Sequence, residues 1–453
     1  MDYQALKKER EENELMLYEG KIPHRVPIKI NFSQDVVAGY AGIDIKDASW
    51  NPSLVAEKAD ELCGKIFTDI CLLSGKARMP AYYEALGSKN SVMSSGGFMQ
   101  HPDTVAMYID EYDEFTKNPV DFIVEKVLPR NYRRLDYTEN PASIMFSFLE
   151  AEQGRVFDNA AQRKNSAPLV EKYGYYQGAP GSFGAMYATL DLLTDNIRSL
   201  KEMAMDVRRV PEKVLAAVDA LYPFNYECGI VKNVTPTSMV DYPLHLPPFI
   251  GLKQFEKLWW PSWIRQCNDY ASMGVHTGAF IEGDWTRYLD YLLDLPTNSR
   301  LRIEGGDPAL FKQKLGKKHI LMGMYPIINV ISKSKEENID EVKRFLDIMA
   351  PDGHYQFGFD KTIIMASDLN FDTLAAICDT VRDYGVYENA GQQTGEKMNP
   401  KDYTHSKVEK FESKYVMTWD RYKRENPYVP DSARPRVEAT AYNTMKQIMN
   451  LLR

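Results

Sequence analysis

Residues 274–291 read GVHTGAFIEGDWTRYLDY and decide the predicted fold. The first half alternates apolar with small residues, and apolar residues return at helical spacing after Glu282-Gly283-Asp284. This pattern predicts a strand, a glycine turn and a helix. In α/β folds, loops after the carboxyl ends of strands converge on one crevice. We therefore treat the carboxylates at this turn as candidates for chemistry.

Glu282 and Asp284 have different alternatives to a catalytic role. Asp284 stands before a predicted helix, where an aspartate is often only an N-cap. Glu282 lies at the end of the strand, where a capping role is not available. Both remain catalytic candidates, with Trp285 beside them as a candidate substrate-binding residue.

The bulk composition excludes several classes of protein. The chain has 453 residues, 44% hydrophobic and 26% charged, which is typical of a globular protein with one large barrel or two domains. A net charge of −8 argues against a nucleic-acid partner. A charged amino terminus and the lack of long apolar runs argue against a signal peptide or membrane segment. Five scattered cysteines without a CxxC pair predict a reducing, cytoplasmic setting.

A regular alternation of strands and helices follows residue 238. The pattern predicts strands at 238–245, 301–304, 319–324 and 354–359. It predicts helices after them at 252–272, 307–315, 339–349 and 369–384. Repeated units of this kind predict a parallel sheet, closed as a barrel or doubly wound. No glycine-rich phosphate fingerprint follows a strand, which lowers the case for a dinucleotide site.

The remaining segments give the predicted domain boundaries. Residues 2–19 predict an amphipathic helix outside the main body, within an amino-terminal extension of residues 1–25. The main domain spans 26–387, with a strand at 28–32 and a mainly helical insertion at about 102–235. Residues 174–183, GYYQGAPGSF, form a glycine-rich loop that is either a ligand contact or a simple connection. Residues 388–453 form a polar carboxyl-terminal extension.

The carboxyl-terminal half resembles a known superfamily. The matching segments are LKQFEKLWWPSWIRQC (252–267), FIEGDWTRYLDYLLDLP (280–296), GGDPALFKQKLGKKHILMGMYP (305–326), KEENIDEVKRFLDIM (335–349), GHYQFGFDKTI (353–363) and DTLAAICDTVRDYG (372–385). In this order and spacing they resemble the uroporphyrinogen decarboxylase-like superfamily, which includes corrinoid-linked methyltransferases. The resemblance implies an α/β fold of the TIM (β/α)8 barrel type.

The resemblance leaves two branches to compare. The decarboxylase branch carries an arginine-rich loop after its first strand, whereas NFSQDVVAG (31–39) has no arginine. The thiol-methylating branch holds zinc by a His-x-Cys pair and a later Cys. The positions that match these ligands are Phe280, Glu282 and Lys361, which lack the soft ligands that activate a thiol. Methyl ethers and methylamines remain as methyl donors.

The predicted function is the methyltransferase component of a corrinoid-dependent demethylase. It would move a methyl group from a small O- or N-methylated substrate to the cobalt of a separate corrinoid protein. Glu282 would supply a proton to the leaving atom, or His245 and His276 would join Glu282 around a metal such as zinc. The alternatives are a decarboxylase or lyase of a small carboxylated substrate, served by Lys361 and Arg25, and a non-catalytic binding barrel.

The candidate residues follow from their positions at predicted strand ends. The catalytic candidates are Glu282, Asp284 and Lys361. The candidates for substrate binding are Asn31, Gln34, Phe280, Trp285, Tyr325 and Asp360. The sequence leaves a monomer or a homodimer open as the assembly.

Overall fold

A parallel sheet of six strands organises the computed structural model, which describes residues 2–75, 79–138 and 141–453. An antiparallel pair of short strands precedes it, β1 (Val92–Met93) and β2 (Met99–Gln100). The strands of the parallel sheet are β3 (Phe183–Ala185), β4 (Met239–Leu244), β5 (His276–Asp284), β6 (Arg300–Gly305), β7 (Ile320–Gly323) and β8 (Tyr355–Gln356). They lie side by side in chain order, each parallel to the next. The predicted mixed α/β class and parallel sheet are therefore confirmed.

Helices connect successive strands of the parallel sheet, because a parallel neighbour is reached only by a crossover. The crossover helices after residue 186 span Thr189–Leu193, Leu200–Arg209, Pro211–Gly229, Leu252–Gln254, Trp260–Ser272, Leu289–Leu292, Pro308–Leu315, Asn329–Ser332 and Lys335–Met349. Two of them continue through π-helical turns, Thr194–Arg198 and Phe255–Trp259. The helix after β8 is Phe371–Tyr384.

Helices also make up most of the sequence outside the sheet. Before β3 they span Tyr3–Tyr18, Gln34–Ala41, Ile45–Trp50, Ala56–Lys65, Pro80–Leu86, Tyr112–Lys117, Pro119–Phe122, Leu128–Asn131 and Pro141–Tyr173. After residue 400 they span Trp419–Glu425 and Arg434–Leu452. No helix of the described residues is both long and apolar enough to cross a membrane. All five cysteines are buried and free of disulfides.

An extended segment lies along the outer edge of β8. The amide of Lys29 donates to the carbonyl of Phe357 at 2.8 Å, and the amide of Phe357 donates to the carbonyl of Pro27 at 2.7 Å. On its other side the amide of Asp69 donates to the carbonyl of Ile28 at 3.0 Å. The strand predicted at residues 28–32 is therefore an extended segment with one parallel bridge, Ile28 to Phe357, and is shorter than expected.

The amino-terminal helix Tyr3–Tyr18 packs into the main body, so its predicted position outside that body is wrong. Arg10, Glu14 and Tyr18 of this helix are buried. The Glu14 carboxylate pairs with Lys29 at 2.7 Å, and both side chains are almost fully shielded from water. The helix presents charged residues to the interior because residues of opposite charge from other segments lie there. Helical periodicity alone does not reveal such partners.

Candidate active site

Two neighbouring cavities with three lining residues in common lie at the carboxyl-terminal side of the parallel sheet. The inner cavity, about 270 Å³, is lined by Glu14, Lys29, Ile30, Asn31, Ile70, Tyr176, Asp241, Phe280, Arg300, Arg302, Met322, Phe359, Lys361, Thr362 and Ile363. The outer cavity, about 410 Å³, is lined by Phe280, Glu282, Glu304, Ile327, Ile328, Ile331, Lys361, Thr362, Ile364 and Asp368. The two cavities share Phe280, Lys361 and Thr362, which lie between them.

The backbone around Glu282 is fixed by contacts from several sides. Gly283 has a φ of +74°, and a Cβ there would meet Pro248 at 3.0 Å, so this turn requires glycine. The Gly283 amide donates to the Glu304 carboxylate at 2.7 Å. The indole of Trp285 donates to the Glu282 carbonyl at 3.1 Å. These contacts hold the Glu282 side chain at the outer cavity.

His245 links two carboxylates from different elements. It follows β4 directly, and its Nδ1 lies 2.6 Å from Asp195 Oδ2. Its Nε2 lies 3.1 Å from Glu282 Oε1. Burial alone would lower the pKa of His245, but the hydrogen bonds and charges of Asp195 and Glu282 raise it to about 11. His245 is therefore an imidazolium at neutral pH, with an N–H toward each carboxylate.

A further carboxylate, Asp191, holds the backbone under this cluster. It is fully buried and accepts from the Leu246 amide at 3.2 Å, the Trp259 indole at 2.9 Å and the His245 amide at 3.3 Å. Burial, followed by the charge of Asp195, raises the pKa of Asp191 to about 7. Asp191 therefore fixes the position from which His245 reaches Glu282.

Basic side chains outnumber carboxylates around the inner cavity. Lys29, Arg300, Arg302 and Lys361 face Glu14 and Asp241. Two of the cations are paired inside the cavity, since Lys29 contacts Glu14 at 2.7 Å and Arg300 contacts Asp241 at 3.2 Å. Lys361 is mostly exposed and lies 3.6 Å from Glu304 of the outer cavity. The protein is acidic overall, so this local excess of positive charge is specific to the cavity.

The structure places four of the predicted site residues in the cavity walls and a fifth, His245, behind one of them. Glu282 lines the outer cavity and contacts His245, and Phe280 and Lys361 line both cavities. Asn31 lines the inner cavity and donates from Nδ2 to the Ser74 hydroxyl at 3.3 Å. These residues come from different segments, and the strand ends bring them together.

Other predicted substrate-binding residues do not reach the cavities. Trp285 and Tyr325 are fully buried, and the Tyr325 hydroxyl donates to Asn338 at 3.1 Å. Gln34 is buried and donates to a backbone carbonyl, that of Ala48, at 3.2 Å. These three predictions are wrong because aromatic and amide side chains near a strand end also serve the core.

Asp360 and Asp284 use their carboxylates to shape loops. Asp360 Oδ1 accepts from the Ile327 amide at 2.9 Å and from the Lys361 amide at 2.8 Å. Asp284 Oδ1 accepts from the Thr286 amide at 2.8 Å and stabilises a local turn, whereas the N-cap position that the sequence suggested for it is taken by Trp285. Asp360 therefore sets the direction of Lys361 without lining either cavity.

His276 and Arg25 lie away from the cluster. His276 begins β5, six positions before Glu282, so the rise of a strand separates them by roughly 20 Å. Its ring lies against Tyr18 at 4.5 Å, and burial lowers its pKa to about 4. Arg25 pairs with Asp69 at 2.6 Å, outside both cavities. The predicted grouping of His245, Glu282 and His276 around one metal is therefore wrong.

The residues present do not fit a zinc site. Among the described residues, no group of three or more His, Cys, Asp or Glu side chains is placed to hold a metal ion. Both ring nitrogens of His245 are already occupied, with Nδ1 at 2.6 Å from Asp195 and Nε2 at 3.1 Å from Glu282.

Most charged residues of the site were missed by sequence reasoning. They include Asp191, Asp195, Arg302 and Glu304, and also Glu14, Lys29, Asp241 and Arg300 of the inner cavity. A signal was present in β6, which reads RLRIEG. Strands of parallel sheets are usually apolar on both faces, so charges at every second position indicate a polar lumen. Asp191 and Asp195 gave no comparable signal, because a helical spacing of four is common.

No protein-family model matches the chain, and no curated protein matches it either. The site is therefore interpreted from its own geometry.

Proposed function

We propose that the chain is a (β/α)8 barrel similar to the uroporphyrinogen decarboxylase-like superfamily. The six parallel strands supply most of such a barrel, and the extended segment at Ile28 follows β8. Asp69 follows this segment, and the Tyr176 amide donates to the Asp69 carbonyl at 2.8 Å. Residues 183–185 then pair with β4. These hydrogen bonds run from β8 to the segment at Ile28, then to Asp69, and then toward β3. They support closure of the sheet into a barrel of eight strands.

The proposed activity is transfer of a methyl group from a small O- or N-methylated substrate to a corrinoid protein. The observation that carries it is the chain of hydrogen bonds from Asp195 through His245 to Glu282, which ends in the outer cavity. Breaking the bond between the methyl carbon and its oxygen or nitrogen leaves the electron pair on that heteroatom. The heteroatom then requires a proton, and this cluster holds one.

The proton lies on Nε2 of His245, next to Glu282. We propose that Glu282 passes this proton to the leaving heteroatom and that His245 replaces it. Against the effect of burial, the hydrogen bonds and charges of Asp195 and Glu282 raise the pKa of His245, so the imidazolium keeps a proton beside Glu282 at neutral pH. Asp195 stabilises the imidazolium between turnovers.

The corrinoid of a partner protein would supply the nucleophile that accepts the methyl group. The rim of the outer cavity offers an apolar surface for such a partner. Ile328 and Ile331 are exposed at 58% and 50%, and Ile364 is also exposed. Exposed apolar patches around a cavity often mark a protein contact. No step is assigned to zinc, since the residues do not form a zinc site.

The test uses free cobalamin, reduced with titanium(III) citrate, in place of the corrinoid protein. The purified protein is mixed with a panel of methyl ethers and methylamines, and the loss of reduced cobalamin is followed by absorbance. We expect Glu282→Gln and His245→Gln to lower the rate about 100-fold or more, in the range of general-acid catalysis. Asp284→Asn is the matched control, because its carboxylate serves only the local turn, and it should keep the wild-type rate.

An unchanged rate in Glu282→Gln, with a wild-type melting curve, contradicts the proposed proton donor. Failure of every methyl donor on the panel contradicts the proposed reaction itself.

A decarboxylase of a small carboxylated substrate is the second candidate. The observation that favours it is the excess of basic residues around the inner cavity, with Arg302 and Lys361 at the side that faces Phe280. Release of carbon dioxide from small carboxylic acids without cobalamin would support this activity and exclude methyl transfer as the main reaction.

A further inference from the structure

The guanidinium of Arg302 lies in the inner cavity without a carboxylate partner. It is partly buried, and its central carbon lies 4.4 Å from the centre of the Phe280 ring. One of its nitrogens donates to the Thr362 hydroxyl at 3.0 Å. Within the described part of the chain, no carboxylate forms an ion pair with Arg302. Its other N–H donors therefore remain for a ligand.

The two neighbouring cations of the inner cavity differ from Arg302. Lys29 lies against Glu14, and Arg300 lies against Asp241, so each has a counter-charge within the protein. The cations at the amino-terminal side of the cavity are therefore both in ion pairs, whereas Arg302 is not. Arg302 lies at the side of the cavity nearer to Glu282.

An unpaired guanidinium that has lost part of its hydration is unfavourable for the folded protein alone. Burial lowers the pKa of Arg302, in agreement with this loss of hydration, although the charges of Asp241, Glu282 and Asp360 act to raise it from beyond ion-pair distance. The contact with Phe280 compensates only in part, because a cation–π contact is weaker than a charged hydrogen bond. A bound anion would supply the missing counter-charge, and a planar carboxylate matches the guanidinium in a bidentate geometry.

We propose that Arg302 binds a carboxylate of the substrate, with Lys361 as a second cation beside it. Apolar side chains of Ile30, Met322 and Phe359 line the same cavity and would contact an apolar or aromatic body. The substrate class is therefore a carboxylic acid whose methylated heteroatom lies toward Glu282. This inference rests on the proposed function only for the methyl group, and the anion site stands without it.

The test measures the binding of benzoate and of benzamide, its neutral counterpart, by titration calorimetry. Wild-type protein should bind benzoate more tightly than benzamide. Arg302→Gln should weaken benzoate binding by about tenfold to a hundredfold, the range expected for loss of a charged hydrogen bond. The benzoate affinity of Arg302→Lys should lie between those of wild type and Arg302→Gln, because lysine keeps the positive charge but lacks the two parallel N–H donors of a guanidinium.

Arg344→Gln is the matched control, since Arg344 is exposed and pairs with Glu341 on a surface helix. It removes the same charge and should leave benzoate binding unchanged. Circular dichroism and melting curves check that each variant is folded.

Equal benzoate affinity in wild type and Arg302→Gln overturns the proposal. So does equal affinity of the wild type for benzoate and benzamide, or no benzoate binding at millimolar concentration. The titrations contain no cobalamin and no methyl donor. A failure of methyl transfer therefore leaves the anion site standing, and a failure of benzoate binding leaves the acid cluster to be judged by its own assay.

Discussion

Asp69 and Arg302 are both charged residues of the main body, but they differ in how many partners the protein supplies to them. Asp69 accepts from Arg10 at 3.0 Å, from both terminal nitrogens of Arg25 at 2.8 and 2.6 Å, and from the Ile28 amide at 2.6 Å. Arg302 has one hydroxyl partner and an aromatic ring. The first charge is saturated by the protein, and the second is not. Saturated charges hold a fold, whereas an unsaturated charge beside a cavity indicates a ligand.

The largest effect on stability is expected for Asp69→Asn. This change leaves two buried arginines without their counter-charge, and breaking such a cluster costs about 3–5 kcal/mol of unfolding free energy. Urea unfolding followed by circular dichroism measures it. Burial alone would raise the pKa of Asp69, but Arg25 and Arg10 hold it well below its usual range.

The same residue gives a pH test with a defined sign. A depressed folded pKa contributes stability that is complete above the unfolded pKa of about 3.9 and is lost as the pH falls below it. The deficit of Asp69→Asn should therefore be full at neutral pH and should shrink in acid. A deficit that does not change with pH would contradict the role of this carboxylate.

The next effect concerns His245, which lies between the two extremes because one of its two carboxylate partners, Glu282, lines the outer cavity. Its raised pKa contributes stability that is complete below the unfolded value of about 6.5 and is lost as the pH rises toward 11. His245→Asn should be less stable than wild type, with a deficit that narrows at alkaline pH. Urea unfolding at a series of pH values measures it.

The partners of His245 are expected to differ in strength. Asp195 contacts the ring at 2.6 Å and Glu282 at 3.1 Å. Asp195→Asn should therefore lower the pKa of His245 more than Glu282→Gln does. An NMR titration of the His245 ring protons measures both shifts, and the reverse order would place the stronger partner in the cavity.

A smaller effect is expected for Asp284→Ala, because this carboxylate serves a local turn at the surface. Loss of a side-chain hydrogen bond to the backbone costs about 0.5–1 kcal/mol. Thermal melting measures it, and benzoate affinity should stay at the wild-type value. A change in affinity would give Asp284 a role in the site that its contacts do not indicate.

The smallest effect on stability is expected for Arg302→Gln. An unpaired cation adds little to the folded state, so the variant should lie within about 0.5 kcal/mol of wild type or above it. Urea unfolding measures this beside Asp69→Asn. A loss comparable to that of Asp69→Asn would remove the distinction between the two charges and make Arg302 a structural residue.

The sequence predicted the strands best where the pattern was local. β4, β6 and β7 lie within one residue of their expected bounds, because apolar residues and turn signals mark both ends. Glu282 and His245 were proposed as site residues for the same reason, since each was predicted to lie at the end of a strand. β8 is shorter than expected, because it ends at Gln356. The next residue, Phe357, still pairs in parallel with Ile28, a contact that the local sequence does not reveal.

The sequence failed where a residue's role depends on a distant partner. The helix Tyr3–Tyr18 has the polarity of an exposed helix, but its Arg10 and Glu14 meet charges from other segments. The pairing of Asp195 with His245 spans 50 positions, and no local pattern encodes it. Trp285 and Tyr325 show the converse, because large aromatic residues at strand ends were needed by the core.

The position of Glu14 has a consequence for the order in which the chain is made. Its carboxylate accepts from Gln356 at 3.0 Å, a partner 342 positions later. During synthesis, the helix that carries Glu14 is made 342 residues before Gln356. The contact between Glu14 and Gln356 therefore cannot form until the residues between them have been translated. Such late contacts slow folding, and the early helix must keep its charges hydrated in the meantime.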